Sequence, residues 1–310
     1  MNIPSIKNKL AELRIPSFEN VVMKDFTTFR IGGRCPLLIV CDTDEKFRKS
    51  VECLHGQACD FEVIGEGSNI LVSDLGIPCP VIRCLTASPD IQINGNDIFA
   101  SAGTRLNDVS LFAAKNGLAG MNFASGIPGT VGGAVTGNAG AFGSQVSDVL
   151  KTVTALAESG ETIVLEKSEL KFSYRNSILK TAKDFILLTA CFTLKSGNPL
   201  ELIKDREEIL SLRLKKHPDY CAIPCAGSFF KNIVHDDGRR EAAGWFLEQA
   251  GCKALTCGGA AVFQGHANII VNNGNATAKD VIGLSGEMIT RVQEKFGITL
   301  EPEVRLVGEF

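Results

Sequence analysis

Little in this chain of 310 residues invites a metal, a membrane or a nucleic acid. Its 11 cysteines contain no CxxC pair, and the closest spacings, Cys221/Cys225 and Cys252/Cys257, lack histidines or further cysteines at zinc-ligand intervals. An odd number of thiols scattered through strands and helices excludes a disulfide framework and fits reduced side chains that act as small buried hydrophobes. No block of Lys and Arg is present and the formal net charge is only −3, so a polyanionic partner lacks its electrostatic footprint. No apolar run reaches the length of a membrane span. The N-terminal MNIPSIKNKLAEL is lysine-spotted and amphipathic, without a continuous apolar core or a small-residue cleavage site. The sequence therefore predicts a soluble, cytoplasmic protein that acts on small molecules, with no metal, nucleic acid, membrane or obligate protein partner.

What is present is the material of a globular fold: 45% hydrophobic and 22% charged residues, in a chain long enough for two or three domains. Residues 44–55 read as a helix ending at Gly56, and FEVIGEGSNILVSD as strand, glycine turn, strand. A short strand VIRC follows at 81–84. Asn94-Gly95 marks a hairpin, and LNDVSLFAAKNG a helix stopped at Asn116-Gly117. A second hairpin turns at Ser159-Gly160, and FILLTACFTL is an apolar strand. Composition shifts near 195–199, and a charged helix over 201–216 runs into His217-Pro218, which stops it. The C-terminal part reads as a helix at 241–250, the strand HANIIVN, and a long helix begun by TAKD. Thr277 caps that helix, and Val281, Met288, Ile289, Val292 and Phe296 form its apolar face. LEPEVRLVG closes the chain as a strand.

The chemistry is carried by glycine. Phe123 to Gly143 holds seven glycines and almost no charge, so something must approach its backbone closely. It is neither common phosphate fingerprint: no Lys-Ser/Thr follows the last glycine, and no GxGxxG opens a helix with an acid about 20 residues on. It offers a run of backbone N–H groups with the hydroxyls of Ser125 and Thr130 interleaved, a surface able to wrap a pyrophosphate without a cation. GEGSNILVSD at 65–74 and TTFRIGG at 27–33 have the same character. Three low-charge glycine turns predict a long cofactor touched at several points.

Taken in order, TTFRIGG, GEGSNILVSD, SGIPGTVGGAVTGNAGAFG, FSYRNSIL, AGSFFKN, AGWFLEQAG, HANIIVN and LEPEVRLVG resemble the UDP-N-acetylenolpyruvoylglucosamine reductases over about residues 24–308. These are flavoenzymes that complete UDP-N-acetylmuramate synthesis for peptidoglycan. The resemblance implies an α+β fold with a two-part FAD-binding domain of the vanillyl-alcohol oxidase type at 1–197 and a substrate-binding domain at 198–310. It implies non-covalent FAD, with NADPH as co-substrate. The cofactor residues it implies are Arg30, Ile31 and Gly32; Gly65, Gly67, Ser68, Asn69 and Ile70; Ser125, Gly126, Pro128, Gly129, Thr130, Gly132 and Gly133; and Asn138, Ala139 and Gly140.

By the same resemblance Arg175, Ser228 and Glu303 are catalytic, and Tyr174, Lys231, Asn232 and His266 contact substrate. Read alone, Arg175 would be a surface charge, Ser228 a turn residue, His266 a structural histidine, and Glu301 with Glu303 a pair of edge charges on one face of a strand, distorted by Pro302. As a set they suit reduction of an enol ether bearing a carboxylate. Arg175 is a forked, permanent cation for the growing charge, and Ser228 is a proton donor that needs polarising, with Lys231 a candidate. Glu303 is suitable if protonated or if it orients Arg175.

Two positions depart from the family pattern: Glu66 stands where a glycine is common, and Phe142 where a tyrosine is. A carboxylate at 66 should point to solvent if that turn holds a phosphate. No long insertion follows YRNS before the strand at 185–194, as in the subtype that lacks a mobile substrate-covering loop. The rival readings are a flavin-dependent alcohol oxidant of the same cofactor fold, which would need a base near the substrate carbon, and a nucleotide-sugar sensor without turnover.

Overall fold

The computed structural model describes residues 1–181, 185–235 and 238–310. The chain divides into two compact units, each assembled from separated segments: Met1–Glu19, Leu37–Glu66 and Cys79–Arg213 in the first, and Asn20–Pro36, Gly67–Pro78 and Leu214–Phe310 in the second. These units differ in extent from the expected segments 1–197 and 198–310. The helix Pro199–Lys216 begins in the first unit, because Leu202 and Arg206 are buried there, and two glycine-bearing stretches from the N-terminal part belong to the second.

In the first unit, residues 38–41 pair in parallel with Val81–Cys84, which pairs in parallel with Glu62–Ile64. The helix Asp44–His55 buries Phe47, Val51 and Leu54 in the same core as Leu37, Ile39 and Ile82. Thr43 caps it through a hydrogen bond from the Lys46 N–H. An antiparallel sheet, in the order Thr162–Glu166, Leu150–Ala157, Phe185–Thr193, Asp97–Ser101, Ile91–Asn94, completes the unit. Its first hairpin pairs Asn94 with Asp97, so the loop residues are Gly95 and Asn96, one place later than the dipeptide suggests.

The glycine-rich stretch contains a helix that sequence reading missed, Val131–Thr136. Two consecutive glycines argue against a helix on propensity. Here Thr130 caps it, and Val131 and Val135 are fully buried, so tertiary packing overrides the propensity.

The second unit holds an antiparallel sheet ordered Cys225–Ser228, Ile269–Asn272, Ala260–Val262, Thr256–Cys257. Against it lies the helix Ala278–Phe296, which buries Val281, Leu284, Met288 and Val292, close to the face expected. Thr277 and Asp280 form the capping box at its start. Both oxygens of Asp74 accept there as well, from the N–H groups of Ala278 and Lys279, so the helix's free donors are largely satisfied. The final strand is shorter than expected. Only Arg305–Val307 forms it, in parallel with Ile70–Val72, and residues 301–304 before it are irregular around Pro302.

One charge in this fold works against it. Oδ1 of Asp44 is buried without a hydrogen-bond partner, and burial, followed by the nearby Asp90, pushes its pKa up to about 6, against a hydrogen bond from Ser101. A carboxyl whose folded pKa is raised binds its proton more tightly when folded, so stability declines as pH rises from the ordinary carboxylate range through about 6 and stays lower above it. We expect Asp44→Asn to raise the Tm at about pH 8 and to give no gain near pH 4, as measured by thermal melts across that range.

Candidate active site

The glycine loop of the first unit is held by side chains from elsewhere in that unit. Oδ1 of Asn107, on the helix Leu106–Lys115, accepts from the Gly126 N–H at 2.9 Å and from Nη2 of Arg206 at 2.6 Å. Nε of Arg213 donates to the Gly126 carbonyl at 3.1 Å. Gly126 has φ +69°, and a Cβ there would stand 2.8 Å from a methyl of Leu210. The close neighbour of this glycine is therefore the helix Pro199–Lys216. The hydroxyl of Ser125 is buried against that of Ser110 at 3.0 Å. The Gly132 N–H is taken by the Ala102 carbonyl and that of Gly133 by the Thr130 hydroxyl.

Glu66 corrects an expectation. Its side chain does not point to solvent: Oε2 accepts from the Gly129 N–H at 2.7 Å and Oε1 from Nε of Arg105 at 3.1 Å. Gly65 lies against Thr130, with room for no side chain. The far end of the loop meets Arg175. Nη2 of Arg175 donates to the Gly140 carbonyl at 2.9 Å, and its guanidinium stands 5.6 Å from the centre of the Tyr174 ring. Arg175 has φ +55° in a tight turn closed by the Ser173–Asn176 bridge. Asn138, next to Ala139, is buried; it donates to the Ser173 carbonyl and accepts from the Ser147 N–H, which ties this turn to the loop. Phe142 is exposed. After this turn, the candidate subtype feature extends over residues 182–184, which lie outside the described residues.

In the second unit, residues far apart in sequence form one ladder. The Glu303 N–H donates to the Phe229 carbonyl at 2.7 Å and the Lys231 N–H to the Glu301 carbonyl at 2.9 Å, with a bridge between Phe230 and Pro302. Ser228 and Glu303 thus flank the same backbone junction. The turn at 67–70, which includes Ser68, joins them: the Arg305 N–H donates to the Asn69 carbonyl at 3.1 Å, the Asn69 amide reaches the Glu303 carbonyl at 3.5 Å, and Ile70 opens the strand paired with Arg305–Val307. The stretch 27–33 adjoins as well. The Thr28 N–H donates to the Gly67 carbonyl and its hydroxyl to the Cys225 carbonyl, and Nη2 of Arg30 donates to the Cys221 carbonyl at 2.6 Å. Ile31 is buried in this unit's core, and Gly32 packs on Val72.

Three remaining candidates have structural partners. Nζ of Lys231 is paired with Glu301 at 2.9 Å. Oδ1 of Asn232 accepts from the Ala243 N–H at the start of the helix Ala243–Gln249. His266 stacks on His217 with ring centres 5.4 Å apart, and its Nδ1 accepts from the Asn268 N–H. Burial, then Lys216 and Lys253, holds its pKa below the usual value, so the ring is neutral at pH 7 with its proton on Nε2.

Sequence reading missed Arg83 and Arg105. Arg83 sits in an apolar strand and Arg105 just before a helix, so neither belongs to a glycine motif. Burial, then Arg105, pushes the Arg83 guanidinium down, and Glu66 opposes the shift, so these three charges form one cluster. Among the described residues no group of His, Cys, Asp or Glu could hold a metal ion, and no helix is long and apolar enough to cross a membrane. All eleven cysteines are free thiols.

Comparison with known proteins gives two family matches. Residues 36–166 match an FAD binding domain, and residues 217–307 match the C-terminal domain of UDP-N-acetylenolpyruvoylglucosamine reductase. A UDP-N-acetylenolpyruvoylglucosamine reductase of Caldanaerobacter subterraneus subsp. tengcongensis is 39% identical over 99% of this chain and 98% of its own length. One from Clostridium botulinum is 39% identical over 94% of this chain and 93% of its own. Among solved structures, the UDP-N-acetylenolpyruvylglucosamine reductase of Thermus caldophilus aligns with a TM-score of 0.76 at 32% identity, covering 95% of this chain and 99% of that one.

The Asn107 contacts can be tested without a ligand. Asn107→Ala leaves the Gly126 N–H and the largely buried Arg206 guanidinium short of an acceptor, and we expect a loss of about 2–3 kcal/mol in urea unfolding. Asn107→Asp, which keeps an acceptor, should lose much less.

Proposed function

The chain belongs to the family of UDP-N-acetylenolpyruvoylglucosamine reductases, FAD-dependent oxidoreductases of peptidoglycan synthesis, and on that footing we propose that it reduces the enolpyruvyl ether of UDP-N-acetylenolpyruvoylglucosamine to UDP-N-acetylmuramate with NADPH as the electron source. The observation that carries this reading is the ladder of the second unit, in which Ser228, Glu303 and the turn at 67–70 are backbone neighbours although they lie up to 236 residues apart. An exposed turn serine and an edge glutamate would have no reason to share a junction with a cofactor turn.

The residues fit a flavin dinucleotide. In the first unit Arg105 pairs with Glu66, which also accepts from the Gly129 N–H, and Arg83 interacts with both charges, so guanidinium groups are at hand for a pyrophosphate. We assign the turns at 30–32, 65–70, 125–133 and 138–140 to the cofactor. Bound there non-covalently, FAD would supply the two-electron redox chemistry that links NADPH to the vinyl group.

Arg175 holds the substrate carboxylate, whose negative charge grows as the vinyl group is reduced; its anchor on the Gly140 carbonyl fixes the fork for bidentate binding. Ser228 gives its proton to the carbon bearing the carboxylate. The ammonium of Lys231 is committed to Glu301, so Glu303 is the better candidate to polarise that hydroxyl. Tyr174, Asn232 and neutral His266 orient the sugar nucleotide. The protein works on small molecules in the cytoplasm, without a protein partner.

An alcohol-oxidising flavoenzyme would need a general base beside its substrate carbon, and the proposed set is an arginine, a serine and a glutamate. A sensor without turnover is excluded by a visible spectrum: bleaching by NADPH under anaerobic conditions and recovery with the enolpyruvyl sugar nucleotide would establish the reaction. The flavin should also leave the protein on acid treatment; flavin that stays on denatured protein contradicts the non-covalent assignment. Ser228→Ala should bleach normally with NADPH but reoxidise about 10²- to 10⁴-fold more slowly with substrate, in stopped-flow absorbance. Ser228→Cys should recover part of the rate. Equal slowing of both half-reactions would remove Ser228 as the proton donor.

A further inference from the structure

A glutamate turned into a loop that is to receive a pyrophosphate is an electrostatic contradiction, and its surroundings resolve it. Glu66 is 20% exposed, and both of its oxygens are engaged, one by the Gly129 N–H and one by Nε of Arg105. The Gly129 carbonyl accepts from the Leu106 N–H at 3.0 Å, so both backbone polar groups of this residue are fixed from outside the loop. Fixing is needed: Gly129 has φ +115°, which is open to glycine but has no local interaction to select it. Arg105 is itself tied to the loop, since its backbone bridges to Thr130. Thr130 lies so close to Gly65 that a Cβ there would stand 2.4 Å from the hydroxyl oxygen. The two glycine turns are therefore one construction, and Glu66 is the side chain that spans it.

Its charge also has a role: Arg105 pushes the Arg83 guanidinium down and Glu66 opposes that shift, so the carboxylate offsets repulsion between the two cations. A carboxylate accepting an N–H is about twice as strong a hydrogen bond as a neutral acceptor in its place.

We propose that Glu66 is a positioning residue for the cofactor: it holds Gly129 and Arg105 in the arrangement that binds the pyrophosphate, and it strengthens FAD binding despite its negative charge. This rests on the FAD-dependent function proposed above.

The test is FAD retention by the holoenzyme on serial dilution, followed by flavin fluorescence, with thermal melts of the same proteins. Glu66→Ala should hold FAD about 10- to 100-fold more weakly, the range for a lost hydrogen bond to a charged group. Glu66→Gln should lose less, because its amide oxygen still accepts from the Gly129 N–H while the ion pair is gone. Arg105→Met combined with Glu66→Gln should weaken FAD by less than the product of the two single effects. Glu66→Gln conserves shape, so the comparison survives if the alanine variant folds poorly. FAD bound as tightly or more tightly by either Glu66 variant overturns the proposal, as does a fall in melting temperature with unchanged FAD affinity. Wild-type protein that holds no FAD would overturn the proposed function along with it; wild type that holds FAD while the Glu66 variants match it overturns this inference alone.

Discussion

A backbone stripped of side chains keeps all its N–H and C=O groups, and each of these must find a partner once the segment is packed. That constraint shapes the first unit. The stretch 123–143 supplies acceptors for part of itself through the helix Val131–Thr136, and four others come from outside it: Asn107 for Gly126, Glu66 for Gly129, the Thr104 and Ala102 carbonyls for Val131 and Gly132. Arg206 and Arg213, from a helix whose composition suggests the start of another domain, brace the same loop. The loop is held in the sense that the N–H groups of Gly126, Gly129, Val131 and Gly132 all have partners from outside it.

The answer to what comes close to these glycines is then twofold. At Gly65 and Gly126 the neighbour is protein: Thr130 in one case, Leu210 and Arg213 in the other. The positive charge near these turns comes from Arg105, which pairs with Glu66, and from Arg83, which interacts with both. The absence of charge within the glycine motifs concealed this, because both arginines lie outside them.

The second unit solves a different problem, the alignment of Ser228 with residues far from it in sequence. A serine following a glycine at φ +74° would ordinarily be a loop residue free to move. Here the Phe229–Glu303 and Lys231–Glu301 backbone bonds fix both sides of the segment, and the Lys231 ammonium pairs with Glu301. Pro302 accounts for the irregular path that separates Glu301 from Glu303: it removes a ladder donor and delays the strand to Arg305.

Much was legible in the sequence. The helices at 44–55, 106–115 and 278–296, the hairpins, and the apolar face of the last helix follow from local periodicity and caps, which act over a few residues. The family follows from the order of its motifs. What only the tertiary structure decided is long-range: which segments share a unit, that VGGAVT is a helix, that Glu66 turns inward onto Gly129, and that Arg83 and Arg105 stand beside it. Each of these depends on contacts between residues tens of positions apart. Periodicity and propensity carry no information about such contacts, because the free energy that selects them arises only when the packed partners are in place.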